Sequence, residues 1–86
     1  MKEKVRLFNQ LRDFLLSIKS NEEMENFLLG LLTPQELDEI PVRLEIVKML
    51  KKGIAQKEIS KRLGVGVATI TRGSREIRRG RFKYVR

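Results

Sequence analysis

Apolar residues recur at helical spacing along most of the chain. Leu7, Leu11, Phe14 and Ile18 fall at i, i+4, i+7 and i+11, and Val5, Phe8 and Leu15 widen the stripe. This predicts an amphipathic helix over residues 3–18. So many large apolar groups on one helix need more than one packing surface. Ser20 and Glu23 form a capping-box pattern that opens a second helix over 21–31, with Met24, Phe27, Leu28 and Leu31 facing a core. Thr33, Pro34 and Glu36 repeat the signal, as N-cap, first helical residue and returning carboxylate. A third helix is therefore expected over 34–52, stopping at Gly53. Pro41 lies inside it, where a missing N–H and a ring clash predict a kink or break near residue 40. A short fourth helix covers Gln56 to Leu63, and a fifth covers Val67 to Arg79. The tail "GRFKYVR" at 80–86 is expected to fray. No period-2 stretch, repeat or low-complexity linker interrupts the pattern. The expected fold is all-α, five helices in a single domain over 1–86.

The segment "QKEISKRLGVGVATITRGSR" meets several demands of a helix-turn-helix at once. Ile59 and Leu63 anchor its first helix, Ser60 is small where the helices approach, and Gly64 tolerates positive φ in the turn. Val65 plugs the core beneath the turn and Ile70 anchors the second helix. Ala68, Thr69, Thr71 and Arg72 are left with exposed or partly exposed faces. An ordinary helical hairpin would meet some of these demands but has no need of the charge that accompanies them.

Charge changes the picture because it is one-sided. Residues 1–41 hold 5 Lys/Arg against 8 Asp/Glu, whereas residues 42–86 hold 14 against 3. All of the net +8 thus comes from the half that carries the helix-turn-helix pattern, which favours a polyanion partner. Lys57, Lys61, Arg62, Arg75, Arg78 and Arg79 are placed to reach phosphates; each alone would read as a solvated surface charge. Gln56, Ser60 and Gly66 flank the same surface. On the second helix, Val67 and Ala68 suit thymine methyls, and Thr69 and Thr71 suit base edges or bridging waters. No Asn or Gln stands on that helix for bidentate adenine reading, so DNA shape and water are expected to carry part of the specificity.

The stretches "LLTPQELDEIPVRLEIVKMLKKG" and "QKEISKRLGVGVATITRGS" resemble the bacterial Trp repressor family over residues 27–79, most specifically in "GVATITRGS". The resemblance implies an intertwined homodimer that binds a palindromic operator with L-tryptophan as corepressor. It implies a ligand pocket between the third helix and the recognition helix, with Arg43 and Arg72 flanking the indole ring. Thr33 and Arg72 match positions that hold the carboxylate, carbonyls at Gly30 and Leu32 match those near the amino group, and Gly73 matches a glycine that leaves room for the ligand. Glu76 stands where the family has a serine that helps bind the amino group, and Gly30 replaces a pocket leucine. The turn after Gly53 is one residue shorter than in the best-known members. A short basic tail over 80–86 replaces the family's last helix.

Other chemistry finds little support. The chain has no histidine or cysteine, so catalytic pairs and thiolate metal sites are missing, and a reducing compartment is expected. Glu22, Glu23 and Glu25 cluster in a first helical turn, where carboxylates favour the helix dipole, and no metal is expected there. No apolar run approaches the roughly 20 residues of a membrane span, and the charged start is unlike a signal peptide. The expectation is a cytoplasmic transcription regulator, with no enzymatic activity and no cofactor beyond L-tryptophan as corepressor. Residues 1–52 would supply dimerisation, 56–79 the helix-turn-helix and 80–86 a basic tail. One alternative is a DNA-binding relative that is independent of tryptophan or uses another effector. A second, of another class, is a basic helical adaptor for a protein or an anionic membrane surface. The latter lacks the large exposed apolar residues that insertion requires, since 67–79 offers only Val67, Ile70 and Ile77.

Overall fold

A computed structural model describes residues 2–86. Five helices follow in order, α1 (Lys2–Ser17), α2 (Asn21–Leu31), α3 (Pro34–Lys51), α4 (Gln56–Leu63) and α5 (Val67–Arg78). No strand occurs among the described residues. The chain divides into two compact units, one ending at Leu37 and one starting at Asp38.

In the first unit the capping signals act as the sequence leads one to expect. The Ser20 hydroxyl accepts from the Glu23 N–H at 3.1 Å and starts α2. At the head of α3, Thr33 Oγ1 accepts from the Glu36 N–H at 3.1 Å, and Glu36 Oε1 accepts from the Thr33 N–H at 2.9 Å. Two otherwise orphaned donors are thus satisfied reciprocally. The rings of Phe14 and Phe27 meet at 4.7 Å and join α1 to α2. Yet neither helix contains a buried residue. Met24, Phe27 and Leu28 are half-buried, and Leu31, expected in a core, is exposed. The reason is that two helices cannot cover each other's full apolar width. Val5, Leu7, Phe8, Leu16 and Leu29 also remain exposed.

Pro41 does not break α3, which continues through it to Lys51. The lost hydrogen bond and ring clash cost about 3 kcal/mol. Against that stand the capped start and a C-terminal half that buries Ile46, Val47 and Met49.

The second unit holds the core. Ile46 of α3, Ile59 of α4 and Ile70 of α5 are 1%, 0% and 0% exposed. Met49 joins them, and Val42, Leu50, Ile54, Leu63 and Val65 pack around the cluster. Burying each isoleucine fully is worth about 1.5–3 kcal/mol. The α3 end turns Ile54 back onto this core through bonds from the Gly53 N–H to Leu50 O (3.0 Å) and from the Ile54 N–H to Met49 O (3.1 Å). Gly64 closes α4 in the left-handed region at φ 65°, where a side chain is strained. Ser60 has a second use besides being small. Its hydroxyl donates to the Val65 carbonyl at 2.7 Å and ties α4 to the turn.

The tail is ordered rather than frayed. Gly80, at φ 81°, ends α5 with its N–H on Ile77 O (2.9 Å), while the Arg81 N–H reaches Glu76 O (3.1 Å). This pair of bonds is a Schellman motif. Lys51 Nζ then donates to the carbonyls of Phe82 and, at 2.7 Å, of Val85. The expectation of fraying missed these two anchors.

Ile59→Ala is expected to destabilise the protein by about 3 kcal/mol, because it removes a fully buried side chain from the centre of the core and leaves a cavity that its neighbours fill only in part. Urea unfolding followed by circular dichroism measures this directly.

Candidate ligand cleft and nucleic-acid face

The turn from Gly64 to Gly66 delivers α5 with its first turn outward. Gly66 is the N-cap, in extended conformation, and carries no side chain to cover the helix end. Val67 is 57% exposed, and Ala68 and Thr69 are exposed beside it. No acidic residue stands in this turn, and Ile70 beneath it is fully buried. The anchor therefore fixes which side of α5 points out.

Lys57 and Lys61 on α4 and Arg75 and Arg78 on α5 are exposed. Arg78 rests on the Ser74 hydroxyl at 3.0 Å. Arg62 is held by Glu58 at 2.7 Å and Arg79 by Glu76 at 2.9 Å, so these two are partly neutralised. Gln56 and Thr71 are half-buried, and Ser60 has its proton committed to Val65. The face is thus led by Lys57, Lys61, Val67, Ala68, Thr69, Arg75 and Arg78.

Within the same unit, α3 and α5 enclose a cleft of about 580 Å³. Arg43, Arg72, Gly73 and Glu76 all line it. So do Ala68 and Thr69, which sequence reasoning placed only on the outward face, and Ile46, Val47 and Phe82, which it did not place at a site. Gly30, Leu32 and Thr33 belong to the other unit, at the end of α2 and the cap of α3. There the Leu32 N–H is spent on Leu28 O at 2.9 Å and Thr33 Oγ1 on Glu36.

The charges of the cleft are unevenly matched. Arg43 faces Glu39 at 3.8 Å, a long pair in which both side chains are about half exposed. Glu76 is only 18% exposed and meets Arg79 through Oε1 at 2.9 Å and Arg81 through Oε2 at 3.6 Å. Arg72 is exposed and in no ion pair among the described residues. With Ile46, Val47, Ala68 and Phe82 as apolar lining, the cleft suits an anion with a flat apolar body.

Gly73 has three side chains to accommodate. A β-carbon there would lie 3.4 Å from Ile46 Cγ2, 3.6 Å from Leu50 Cδ1 and 4.0 Å from Val47 Cγ2. These are ordinary contacts, so the approach of α5 to α3 leaves room for a methyl group at this position, which also borders the cleft.

No helix among the described residues is long and apolar enough to cross a membrane. No cluster of metal-ligating side chains occurs among them either. The matches to known proteins make this all-helical chain, with its exposed helix turn above a two-arginine cleft, a member of a family of transcription regulators and not of enzymes. The family model for the Trp repressor protein matches residues 6–85, and the chain belongs to that family. Similar proteins are the Trp operon repressor homologs of Vibrio species. That of Vibrio campbellii is 40% identical over 72 residues, covering 83% of this chain and 72% of its own. That of Vibrio cholerae is 40% identical over 72 residues, covering 83% and 70%. The Vibrio vulnificus homolog is 57% identical over a shorter stretch of 37 residues, 42% of this chain and 36% of its own. No solved structure gives a significant match.

Gly73→Ala should stabilise α5 by up to about 1 kcal/mol, since alanine is the better helix former and its methyl group finds room. Gly73→Leu should destabilise by about 1–3 kcal/mol, because its longer side chain must displace Ile46, Leu50 or Val47. Paired denaturant melts separate the two signs.

Proposed function

We propose that the protein is a sequence-specific DNA-binding repressor that acts as a homodimer on a palindromic operator, with L-tryptophan as corepressor. The observation that carries this reading is the position of Ala68 and Thr69, on the exposed first turn of α5 and at the same time in the wall of the Arg43–Arg72 cleft. A ligand seated there would support the helix turn that enters the major groove, so occupancy and DNA binding are mechanically coupled. Lys57, Lys61, Arg75 and Arg78 contact phosphates and set the register, while Val67, Ala68, Thr69 and Thr71 read the bases. Gln56, Ser60 and Gly66 complete that surface. Arg43 and Arg72 flank a planar ring, Arg72 serves its carboxylate, and Gly73 and Glu76 border the rest.

Residues 1–52 supply the dimer, 56–79 read DNA and 80–86 form a basic tail. Support for the dimer comes from α1 and α2, which bury no residue and leave Val5, Leu7, Phe8, Leu16, Leu29 and Leu31 exposed. Apolar surface on this scale in a small chain favours self-association. The cytoplasm, where an operator is reached, is the proposed location. A second reading, a regulator that does not respond to tryptophan, is favoured by one observation. Glu76 holds the place of an amine-binding serine and already pairs with Arg79 and Arg81.

Sedimentation at micromolar concentration should give a dimer, and a clean monomer there counts against the dimer claim. Thr69→Ala should weaken binding to the operator by about 1–3 kcal/mol. Lys57→Ala should make the slope of log affinity against log salt shallower by about 1 for each phosphate that is no longer neutralised. If neither change alters binding to any duplex, the DNA assignment fails. Calorimetric titration with L-tryptophan, repeated on Arg72→Ala, separates the two effector readings: heat that disappears with Arg72 supports the corepressor, and no heat in the unaltered protein supports the second reading.

A further inference from the structure

We infer that the segment from Arg79 to Val85 is a built wall of the effector cleft, and that Phe82 is a ligand-contacting residue which Lys51 and Glu76 hold in position. The inference rests on the cleft being the effector site, and it concerns a part of the chain to which the proposed function assigned only charge. Three independent contacts place the wall. Gly80 turns the backbone at φ 81° directly after α5 and satisfies the last helical carbonyls through itself and Arg81. Lys51, from the end of α3, donates to the Phe82 and Val85 carbonyls. Glu76 receives Arg79 on one oxygen and Arg81 on the other. The outcome is that Phe82 and Val85 are half-buried, whereas Tyr84 between them is 96% exposed. An unattached basic segment would show no such alternation.

Phe82 lines the cleft opposite no acidic group except Glu76, whose charge the two arginines offset. About 580 Å³ remains open with Phe82 in place, so the ring is a wall and not a plug. Its chemistry adds an aromatic surface to the two guanidinium groups, which fits a planar aromatic carboxylate. Glu76 is accordingly a positioning residue: its carboxylate serves the wall and not the ligand's amine.

Two measurements test this. The chain contains no tryptophan, so Phe82→Trp gives a single reporter that needs no ligand. Its emission should be blue-shifted and its quenching by acrylamide about twofold or more below that of free N-acetyltryptophanamide, with the difference lost on adding Lys51→Ala. Quenching equal to the free compound, or unchanged by Lys51→Ala, overturns the docked wall. In calorimetry, Phe82→Ala should weaken L-tryptophan by about tenfold and Phe82→Tyr by about twofold at most. Glu76→Gln should weaken it in parallel with increased quenching of the Phe82→Trp reporter. Sedimentation and circular dichroism confirm that each variant keeps the parent fold and assembly.

Titrations with phenylalanine, benzoate and indole-3-carboxylate accompany tryptophan. Tryptophan binding that ignores Phe82→Ala sinks the wall and leaves the corepressor reading intact. Binding of another aromatic acid, dependent on Phe82, with none of tryptophan, supports the wall and sinks the corepressor reading. If no aromatic acid binds, both are wrong.

Discussion

Everything functional in this chain hangs on the contact among Ile46, Ile59 and Ile70. One residue from each of three helices is withdrawn from solvent to 1% or less. Because Ile70 is pinned, α5 cannot rotate, and Val67 to Thr69 must face outward. Because Ile46 is pinned, the wall of α3 that carries Arg43 and Val47 must face α5. The outward turn and the inward cleft are therefore two results of one packing event. Ser60 adds a polar constraint at the turn, where a bond to the Val65 carbonyl holds the two short helices at a set approach.

The first unit obeys a different logic. Its helices are defined by caps and by one aromatic pair, not by a core. Local hydrogen bonds determine where α2 and α3 begin, but they bury little area. Stability for such a unit must come from outside it, since helix propensity and caps contribute only about 1 kcal/mol each. The exposed stripe of α1 and α2 is what a partner surface would cover.

Much of this was legible in the residues. Helix starts at Asn21 and Pro34 follow from Ser20 and Thr33, and the stop at Gly64 follows from the need for positive φ. Arg43, Arg72, Gly73 and Glu76, four of the residues singled out in the sequence, line one cleft. What stayed hidden has a common cause. Leu31 has helical spacing, but spacing does not say how many neighbours cover a face. Pro41 carries a local penalty, but not the length and burial of the helix that absorbs it. The tail reads as charge, while its order comes from Lys51, more than thirty positions away. A glycine followed two residues later by phenylalanine was the one local clue, and its meaning required knowing where α3 ends.

Ala68 and Thr69 have a consequence beyond the single molecule. Each lies on the outward turn of α5 and in the lining of the cleft. In a lineage under selection for a new operator, every change at these two positions also remodels the chamber behind them. On the proposed function, operator preference and effector preference would evolve as linked traits, and drift in one would drag the other. Lys57 on one side and Phe82 on the other each belong to only one of the two surfaces. Divergent members of such a lineage are expected to separate their two specificities first at positions of that kind.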